Sequence, residues 1–308
     1  MPRLILNADD FGLTRGINRA IAELHAAGAL TSATLIATGP AFDDAVAIAR
    51  ANPALGVGCH IVFTGDTPLS HPSDIPTLIG ADAKTFRPSL PDFLLAVLRG
   101  KIDEADIARE AAAQIQRLQR AGIDVTHIDT HKHTHILPGV ARPLLFVAER
   151  AGITAIRNPF EQPWSLAIGR ADPIRRLQVK LMAHLRKRFE ALPQIRSKAI
   201  LTTDGTIGIS ATGTLDEPTL RTLLTAMPEG LWELVLHPGY NDHELDTIRT
   251  RLRATREIER HALQSVFSTQ NNLHPSVPEL IHYGNLGTPG ILRSLNQFTP
   301  NTGHETIT

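Results

Sequence analysis

Residues 3–11 read RLILNADDF, a short apolar run that ends in two adjacent carboxylates. A run of this kind predicts a buried β-strand that carries acidic side chains at its C-terminal end. The next stretch, GINRAIAELHAAG at 16–28, has apolar residues at helical spacing and ends in glycine, so it predicts a helix. The chain therefore begins with a strand followed by a helix.

The same alternation of strand and helix continues along the chain. Further strands are predicted at 32–38, 55–63, 123–131, 153–159, 198–203 and 231–239. Further helices are predicted at 40–53 and 103–122 and near 139–151, 172–190, 216–226 and 246–267. Repeated strand-helix units imply a parallel sheet that is buried on both faces.

We therefore predict an α/β protein with a single (β/α) barrel of about seven strands, a number of units that suits this fold. The barrel is expected to occupy residues 1–267, with loop insertions, of which the aperiodic segment 64–91 is one. Residues 268–308 are polar and weakly periodic, and predict an irregular C-terminal extension packed on the barrel or trailing from it. The length of 308 residues would also accommodate two domains, so length alone does not decide.

Composition and charge exclude several classes of protein. Lysine plus arginine and aspartate plus glutamate number 31 each, so the chain has no net charge that would attract nucleic acid or an anionic membrane. No apolar run approaches the roughly 20 residues of a membrane span, and the N-terminus does not have the pattern of a signal peptide. The single cysteine, Cys59, is interpreted as a small buried residue in a reducing compartment. We expect a cytoplasmic protein with no nucleic-acid partner and no membrane span.

Reactive side chains stand where the predicted strands end. In a (β/α) barrel the active site lies at the C-terminal ends of the strands, so such residues should meet in space. They are Asp9 and Asp10 of the first strand, His60 of the third, Asp129 and His131 of the next, then Arg157, and finally His237.

The densest of these signals is HIDTHKHTH at 127–135, in which a histidine or aspartate occupies every second position. In an extended strand this period places all five side chains on one face, namely His127, Asp129, His131, His133 and His135. Such a strand spans too far for all of them to surround one ion. One or two of them are therefore expected to bind a metal, and the others to support the ligands or contact a substrate.

One oxygen donor and two imidazoles would make a catalytic metal site with positions left open. Asp10, His60 and His131 provide this set, and mixed donors fit zinc, manganese, cobalt, nickel or iron without excluding magnesium. Taken singly, Asp9 or Asp10 could instead be the N-cap of the following helix, and His60 could be a satisfied core residue.

Two further residues are candidates for catalysis. His237, in LHPGY, could donate a proton to a leaving amine, or could instead stabilise a turn. Arg157, in IRNPF, could orient a carboxylate or bind substrate, or could form a surface ion pair.

Taken in order, the motifs resemble the YdjC-like carbohydrate deacetylases, the group of ChbG and HpnK. The resemblance covers most of the chain and rests on NADDFGL at 7–13, GVGCH at 56–60, HIDTHKHTH at 127–135, IRNPFE at 156–161 and LHPGY at 236–240. It implies a NodB-like (β/α) barrel that hydrolyses the acetamide of an N-acetylated sugar with one divalent metal ion. Magnesium and zinc are the first candidates for this ion. By motif, Asp10, His60 and His131 would hold the metal, Asp9 would be the base, and His237 the proton donor.

Departures from the family pattern bear on the substrate. Lys132 stands where the family has other polar residues, often histidine, and segment 158–197 does not align. Two alternatives also stay open. One is a binuclear metal hydrolase of amidohydrolase or phosphoesterase type, and the other is a non-catalytic sugar- or metal-binding homologue. The expected partner is an N-acetylated sugar, and a homodimer is compatible with the sequence.

Overall fold

The computed structural model describes residues 1–169, 173–248, 250–267 and 278–286, and its framework is a parallel sheet. The strands are β1 Arg3–Phe11, β2 Ser32–Leu35, β3 Gly56–Ile61, β4 Val125–Thr130, β5 Gly205–Ile207, β6 Leu231–Leu236 and β7 Glu279–Leu280. Their order is β4-β3-β2-β1-β6-β5, and β7 pairs with the first residues of β1. Helices surround this curled sheet, which confirms the expected α/β fold of the NodB-like (β/α) barrel type.

The helices are α1 Arg15–Ala26, α2 Phe42–Ala51, α3 Leu90–Leu98, α4 Glu104–Arg120, α5 Pro138–Arg150, α6 Pro163–Ile168, α7 Pro173–Ala183, α8 Arg186–Glu190, α9 Pro193–Arg196, α10 Glu217–Thr225, α11 His243–Asp246 and α12 Ala254–Phe267. Short 3₁₀ turns lie at Pro72–Asp74, His131–Ile136 and Tyr283–Asn285. None of the helices in the described ranges is both long and apolar enough to cross a membrane.

Helix α1 shows how the outer layer is held on the sheet. Its Thr14 N-cap accepts a hydrogen bond from the backbone amide of Ile17, and such a cap typically contributes about 1 kcal/mol. Ile17, Ile21 and Leu24 share one face and are completely buried. Burial of each such side chain stabilises the fold by about 1.5–3 kcal/mol. The predicted amphipathic helix therefore forms because its apolar face packs against β1.

Strand β1 separates the outer core from the barrel interior. Leu4, Leu6 and Ala8 belong to the main apolar core, whereas Ile5 belongs to a separate cluster. Since side chains alternate along a strand, Asn7 and Asp9 follow Ile5 toward the interior. The interior is therefore apolar at the N-terminal end of the strands and polar at the C-terminal end.

Two predicted strands are reduced to single bridges. Residues 153–159 and 198–203 contribute only the pairings Ile128 with Ile156 and Ala155 with Leu201. Pro159 has no amide hydrogen to continue a ladder, which limits the first of these segments. The chain still passes between β4 and β5 here, and it therefore continues the curvature of the sheet.

Other boundaries also differ from the predictions. The segment expected as one helix at 172–190 is divided into α7 and α8, and α12 begins at Ala254 rather than near 246. Helix α3 begins at Leu90, within the last residues of the expected insertion 64–91, and the insertion contains the bridge between Ile79 and Phe86.

Part of the predicted C-terminal extension packs in the barrel. Residues 278–286 form β7 and a 3₁₀ turn, and the ring of Tyr283 is buried in the interior cluster with Ile5. The prediction for 268–277 and 287–308 lies outside the described residues, and the boundary after residue 267 remains a prediction.

Candidate metal centre

Donor atoms of Asp10, His60 and His131 converge at the C-terminal ends of β1, β3 and β4. Nε2 of His60 lies 3.8 Å from Oδ1 of Asp10, and Nδ1 of His131 lies 3.6 Å from the same oxygen. The two ring nitrogens are 3.3 Å apart. One carboxylate oxygen and two imidazole nitrogens therefore face one another from three separate strand ends.

Asp10 reaches this position through an unusual backbone conformation. Its φ is 65°, in the left-handed region, and the pairing of β1 with β2 changes register between Ala8 and Phe11. Non-glycine residues held in this region cost about 1–3 kcal/mol and cluster at functional sites. The bulge brings Asp10 to the same side as Asp9, near His60, although adjacent strand residues ordinarily point in opposite directions.

The two oxygens of Asp10 have different environments. Oδ2 accepts a hydrogen bond from Nη2 of Arg256 at 2.5 Å. Oδ1 is buried, and within the described part of the chain it has no hydrogen-bond partner. Burial opposes ionisation, but Arg256 and the neighbouring histidines outweigh it and hold the pKa of Asp10 well below its usual range. Oδ1 is thus a buried anionic acceptor that faces two imidazole nitrogens.

His60 is oriented by the neighbouring strand. Its Nδ1 lies 2.8 Å from Oδ1 of Asp129, its partner across β3 and β4, which leaves Nε2 directed at Asp10 and His131. Burial disfavours the charged ring, yet the carboxylates of Asp129 and Asp9 raise the pKa of His60 to about 9. A proton and a cation would therefore compete for Nε2.

Histidine 131 is the most exposed of the three donors, with 30% of its side chain accessible. Partial burial lowers its pKa, and the ring is therefore neutral and able to act as a ligand at pH 7. The side chain of His237 is also partly accessible, at 14%. Access to the centre is therefore from the side of His131 and His237.

Asp9 lies beside this centre and is held from several directions. Nη1 and Nη2 of Arg157 contact its two oxygens at 2.9 and 2.5 Å, and Asn7 and Thr34 donate to Oδ1 at 3.1 and 3.2 Å. Burial raises the pKa of Asp9, but Arg157 outweighs it and the pKa lies well below the usual range. Asp9 is therefore a rigid, ionised carboxylate.

Arg157 is completely buried, so it lies beneath Asp9 and is not at the surface. Besides Asp9 it contacts Oδ2 of Asp129 and, at 2.8 Å, Oε1 of Glu233. The hydroxyl of Tyr283 donates to the other oxygen of Glu233. Of the roles considered for Arg157, orientation of a carboxylate fits this position, whereas a surface ion pair does not.

His237 follows β6 directly and faces Asp9. Its Nε2 lies 3.8 Å from Oδ2 of Asp9, and its backbone amide donates to Glu259 at 2.5 Å. Nδ1 is buried and has no hydrogen-bond partner among the residues that the structure describes. The position of the His237 ring therefore depends on its backbone, which Glu259 holds, and not on a hydrogen bond to Nδ1.

The buried charges around the centre are compatible with a dication. Two guanidiniums, of Arg157 and Arg256, contact four carboxylates, of Asp9, Asp10, Asp129 and Glu233. With all four ionised and His60 neutral, as a metal ligand must be, two negative charges are left uncompensated, which is costly in a buried site. A divalent cation at the unpartnered Oδ1 of Asp10 would balance them, and the donor set suits a metal of the zinc or magnesium type.

A second group, Asp9, His60 and Asp129, also has donor atoms within 4.8 Å of one another. These atoms already bond among themselves or to Arg157. The first group, whose Asp10 oxygen has no such partner in the described ranges, is the better candidate for a single ion.

The prediction that all five side chains of HIDTHKHTH lie on one face is wrong beyond Thr130. Strand β4 ends there, and the backbone turns through left-handed conformations at Lys132 and His133, with φ of 58° and 53°. Only the first part of the motif is a strand, so His131 reaches the centre from a turn. His127 stacks on Tyr283 in the interior, with ring centroids 3.8 Å apart.

His133 and His135 lie near the centre but outside both candidate donor groups. The ring of His135 contacts Oγ1 of Thr130 at 2.7 Å, and burial lowers its pKa to about 3. Burial also holds the pKa of His133 well below its usual range. Both rings are thus neutral near pH 7.

Four residues that touch the site were missed by sequence reasoning, namely Glu233, Arg256, Glu259 and Tyr283. Glu233 could have been noticed, because it is the one charged residue in the apolar run LWELVL. Arg256 and Glu259 are in a helix of mixed composition, and Tyr283 is in the polar C-terminal segment. Nothing in the local sequence pattern distinguishes these three residues.

Comparisons with known proteins relate this chain to one family. The family model described as YdjC-like protein matches residues 3–269. A carbohydrate deacetylase of Brevibacillus brevis is 39% identical over 162 residues, which are 53% of this chain and 60% of that protein. One of Geobacillus stearothermophilus is 41% identical over 151 residues, 49% of this chain and 58% of the relative.

A third relative is matched more fully. A carbohydrate deacetylase of Thermoanaerobacter pseudethanolicus is 27% identical over 266 residues, covering 85% of this chain and 91% of that protein. The first two are matched over less than two thirds of their own length. A crystal structure from Enterococcus faecalis, titled a cellobiose-phosphate cleavage protein, shares the fold, with a TM-score of 0.71, 23% identity and coverage of 92% and 98% of the two chains.

Proposed function

The chain belongs to the YdjC-like protein family, and from this premise we propose that it is a carbohydrate N-deacetylase. It would hydrolyse the acetamide of an N-acetylated sugar to a free amine and acetate. The proposal is supported by three relatives that bear the name carbohydrate deacetylase, one of them matched over 91% of its length.

The observation that carries the proposal is the convergence of Asp10, His60 and His131 beside Asp9 and His237. These three side chains would hold one divalent cation, with magnesium and zinc as the first candidates. When bound, such a cation supplies the Lewis acidity that polarises an amide carbonyl and lowers the pKa of water. Because Asp10, His60 and His131 supply only three donors, a cation held by them could also bind water and substrate.

Asp9 would accept the proton of the attacking water. Its geometry suits this role, because Arg157, Asn7 and Thr34 fix the carboxylate next to Asp10 and keep it ionised. A carboxylate held so strongly is a weak base, so it could take a proton only from water whose pKa has been lowered.

His237 would protonate the nitrogen of the leaving group. The water oxygen forms a bond to the carbonyl carbon, the carbon–nitrogen bond breaks, and the nitrogen takes a proton from the ring to leave as an amine. The 14% exposure of the side chain places it on the accessible side of the site. Its Nε2 lies 3.8 Å from Oδ2 of Asp9, so the proposed donor and the proposed base are neighbours.

A screen for released acetate tests the proposal. Purified protein would be incubated with N-acetylglucosamine, chitooligosaccharides and N-acetylated glycolipid headgroups, after chelation and after return of magnesium or zinc. We expect acetate from at least one class of sugar, loss of release with chelator, and recovery with the cation. Absence of acetate from every sugar in the presence of either cation would contradict the proposal.

The same protein would be titrated for bound metal. One ion per chain is expected from the donor group of Asp10, His60 and His131. Two ions per chain would instead favour a binuclear hydrolase.

A further inference from the structure

Helix α12 carries two buried charged side chains on the face that packs against the barrel, Arg256 and Glu259. Each is only 1% exposed. They are three residues apart, so they are neighbours on one helix face. The next turns of the same face bury apolar residues such as Leu263. Burying charge is expensive unless each group finds a specific partner, so the partners indicate what the two side chains do.

The partner of Arg256 is the candidate metal ligand Asp10. Nη2 lies 2.5 Å from Oδ2 of Asp10, while Nε donates to the carbonyl of Leu252 at 3.0 Å. The guanidinium thus occupies one oxygen of the carboxylate and leaves Oδ1 facing His60 and His131. Residue 10 is 246 positions away in the chain, so only the fold creates this contact.

The partners of Glu259 are backbone amides of two loops at the mouth of the barrel. Oε2 accepts from the amide of His237 at 2.5 Å, and Oε1 accepts from the amide of Gly213 at 3.1 Å. The first contact fixes the residue that follows β6, and the second fixes the loop that follows β5. Glu259 thereby fixes the backbone position from which the side chain of His237 projects.

We propose that α12 is a positioning element that holds both sides of the catalytic centre, Arg256 through the metal ligand Asp10 and Glu259 through the proton donor His237. This inference rests on the proposed function for the roles of Asp10 and His237. The two residues touch no reacting atom, and they act by fixing the groups that do.

Two features distinguish positioning from simple helix packing. Nη1 of Arg256 is buried without a hydrogen-bond partner in the described ranges. A residue kept for stability alone would be expected to have all of its buried donors paired. Asp10 also has a strained backbone, and such a conformation persists only where surrounding contacts hold it. An apolar helix face would pack α12 equally well at lower cost.

The test compares Arg256→Met, Arg256→Lys, Glu259→Gln and, as a matched control, Leu263→Ala on the same buried face. Zn²⁺ and Mg²⁺ affinity would be measured by calorimetry, Tm with chelator, and kcat and KM by acetate release. Arg256→Met should weaken Zn²⁺ binding by about 10- to 100-fold, as loss of groups that support ligands does. Arg256→Lys, which keeps the charge, should recover part of this loss.

Glu259→Gln should behave differently. It should keep Zn²⁺ affinity within about twofold yet lower kcat by about 10- to 100-fold at similar KM, because misplacement of a reacting group slows the reaction. Leu263→Ala should lower Tm and leave Zn²⁺ affinity unchanged.

Wild-type Zn²⁺ affinity in both Arg256 variants would overturn the proposal, as would equal loss of affinity in Leu263→Ala and Arg256→Met. If Arg256→Met does not fold, the comparison of Arg256→Lys with Leu263→Ala decides. Wild-type kcat in Glu259→Gln would remove the second half of the proposal. If no sugar releases acetate, the proposed function fails, whereas the Zn²⁺ measurements still decide the role of Arg256.

Discussion

Nδ1 of His60 lies 2.8 Å from Oδ1 of Asp129, and this contact determines which nitrogen of His60 faces the candidate metal centre. The two residues are register partners on adjacent parallel strands, so the sheet itself enforces the contact. A carboxylate that accepts from one ring nitrogen fixes the tautomer and increases the basicity of the other. Asp129 therefore belongs to the site although it does not face Asp10.

Replacement of Asp129 by asparagine should weaken cation binding. The amide keeps the shape but loses the charge that favours the ligating tautomer of His60, and supporting groups of this kind typically change metal affinity by about 10- to 100-fold. Calorimetry with Zn²⁺ measures the effect. Asp124→Asn, an exposed change just before the same strand, is the control and should bind as wild type. Equal affinities for all three proteins would contradict the role of Asp129.

Replacement of Asp9 and of His131 should separate catalysis from metal binding. Asp9→Asn removes the proposed base and should lower turnover by about 10²- to 10⁴-fold while the cation remains bound. His131→Ala removes a ligand and should lose both turnover and cation. Metal content by elemental analysis, together with acetate release, distinguishes them. The same metal content in both variants would refute these assignments.

Replacement of Gly58 by alanine should destabilise the protein. The ring of His127 occupies the space beside this residue, and a Cβ atom would lie 2.4–2.7 Å from three of its atoms. His127 also stacks on Tyr283 and has little room to move, so overpacking should cost about 1–3 kcal/mol. Urea unfolding measures this.

Gly139→Ala is the matched control for that experiment. It lies in the first turn of α5, and its Cβ would make only ordinary contacts of 3.8 and 3.9 Å. We expect it to be neutral or slightly stabilising. Equal stability of both variants would show that the interior tolerates a shift of His127.

Glu233 should make the stability of the protein depend on pH. Burial raises its pKa to about 7, although Arg157 and the hydroxyl of Tyr283 act in the opposite direction. The unfolded chain has a glutamate pKa of about 4.3, so between these values the folded state binds more protons than the unfolded state. Stability should therefore fall as the pH rises from 4.5 to 7, by up to about 3 kcal/mol from this residue.

The free energy of unfolding in urea at pH 5 and pH 8, with chelator present, measures this dependence. Glu233→Gln cannot ionise, so its stability should fall less over the same interval. Other titrating groups contribute to both proteins and cancel in the comparison when they are not coupled to Glu233. A decrease of the same size in both proteins would show that Glu233 does not titrate in this range.

Most of the fold could be predicted because strand and helix signals are local. The apolar run before Asp9 and the amphipathic segment that became α1 both formed as expected. The segment 153–159 did not form a full strand, because whether a ladder continues depends on the partner and on Pro159 as well as on β-propensity. The turn at Lys132 and His133 was missed for a related reason, since period-two spacing persists in the sequence after the strand has ended.

The sequence by itself determined that Asp9, Asp10, His60, His131 and His237 lie together, since parallel strands bring their C-terminal ends to one edge. Only the tertiary structure decided what surrounds them. Arg157 was placed beneath Asp9 rather than at the surface, and Arg256 was placed on Asp10. The physical reason is the range of the interactions: strand ends follow from local patterning, whereas a buried ion pair depends on which distant residue fills the space beside a charge.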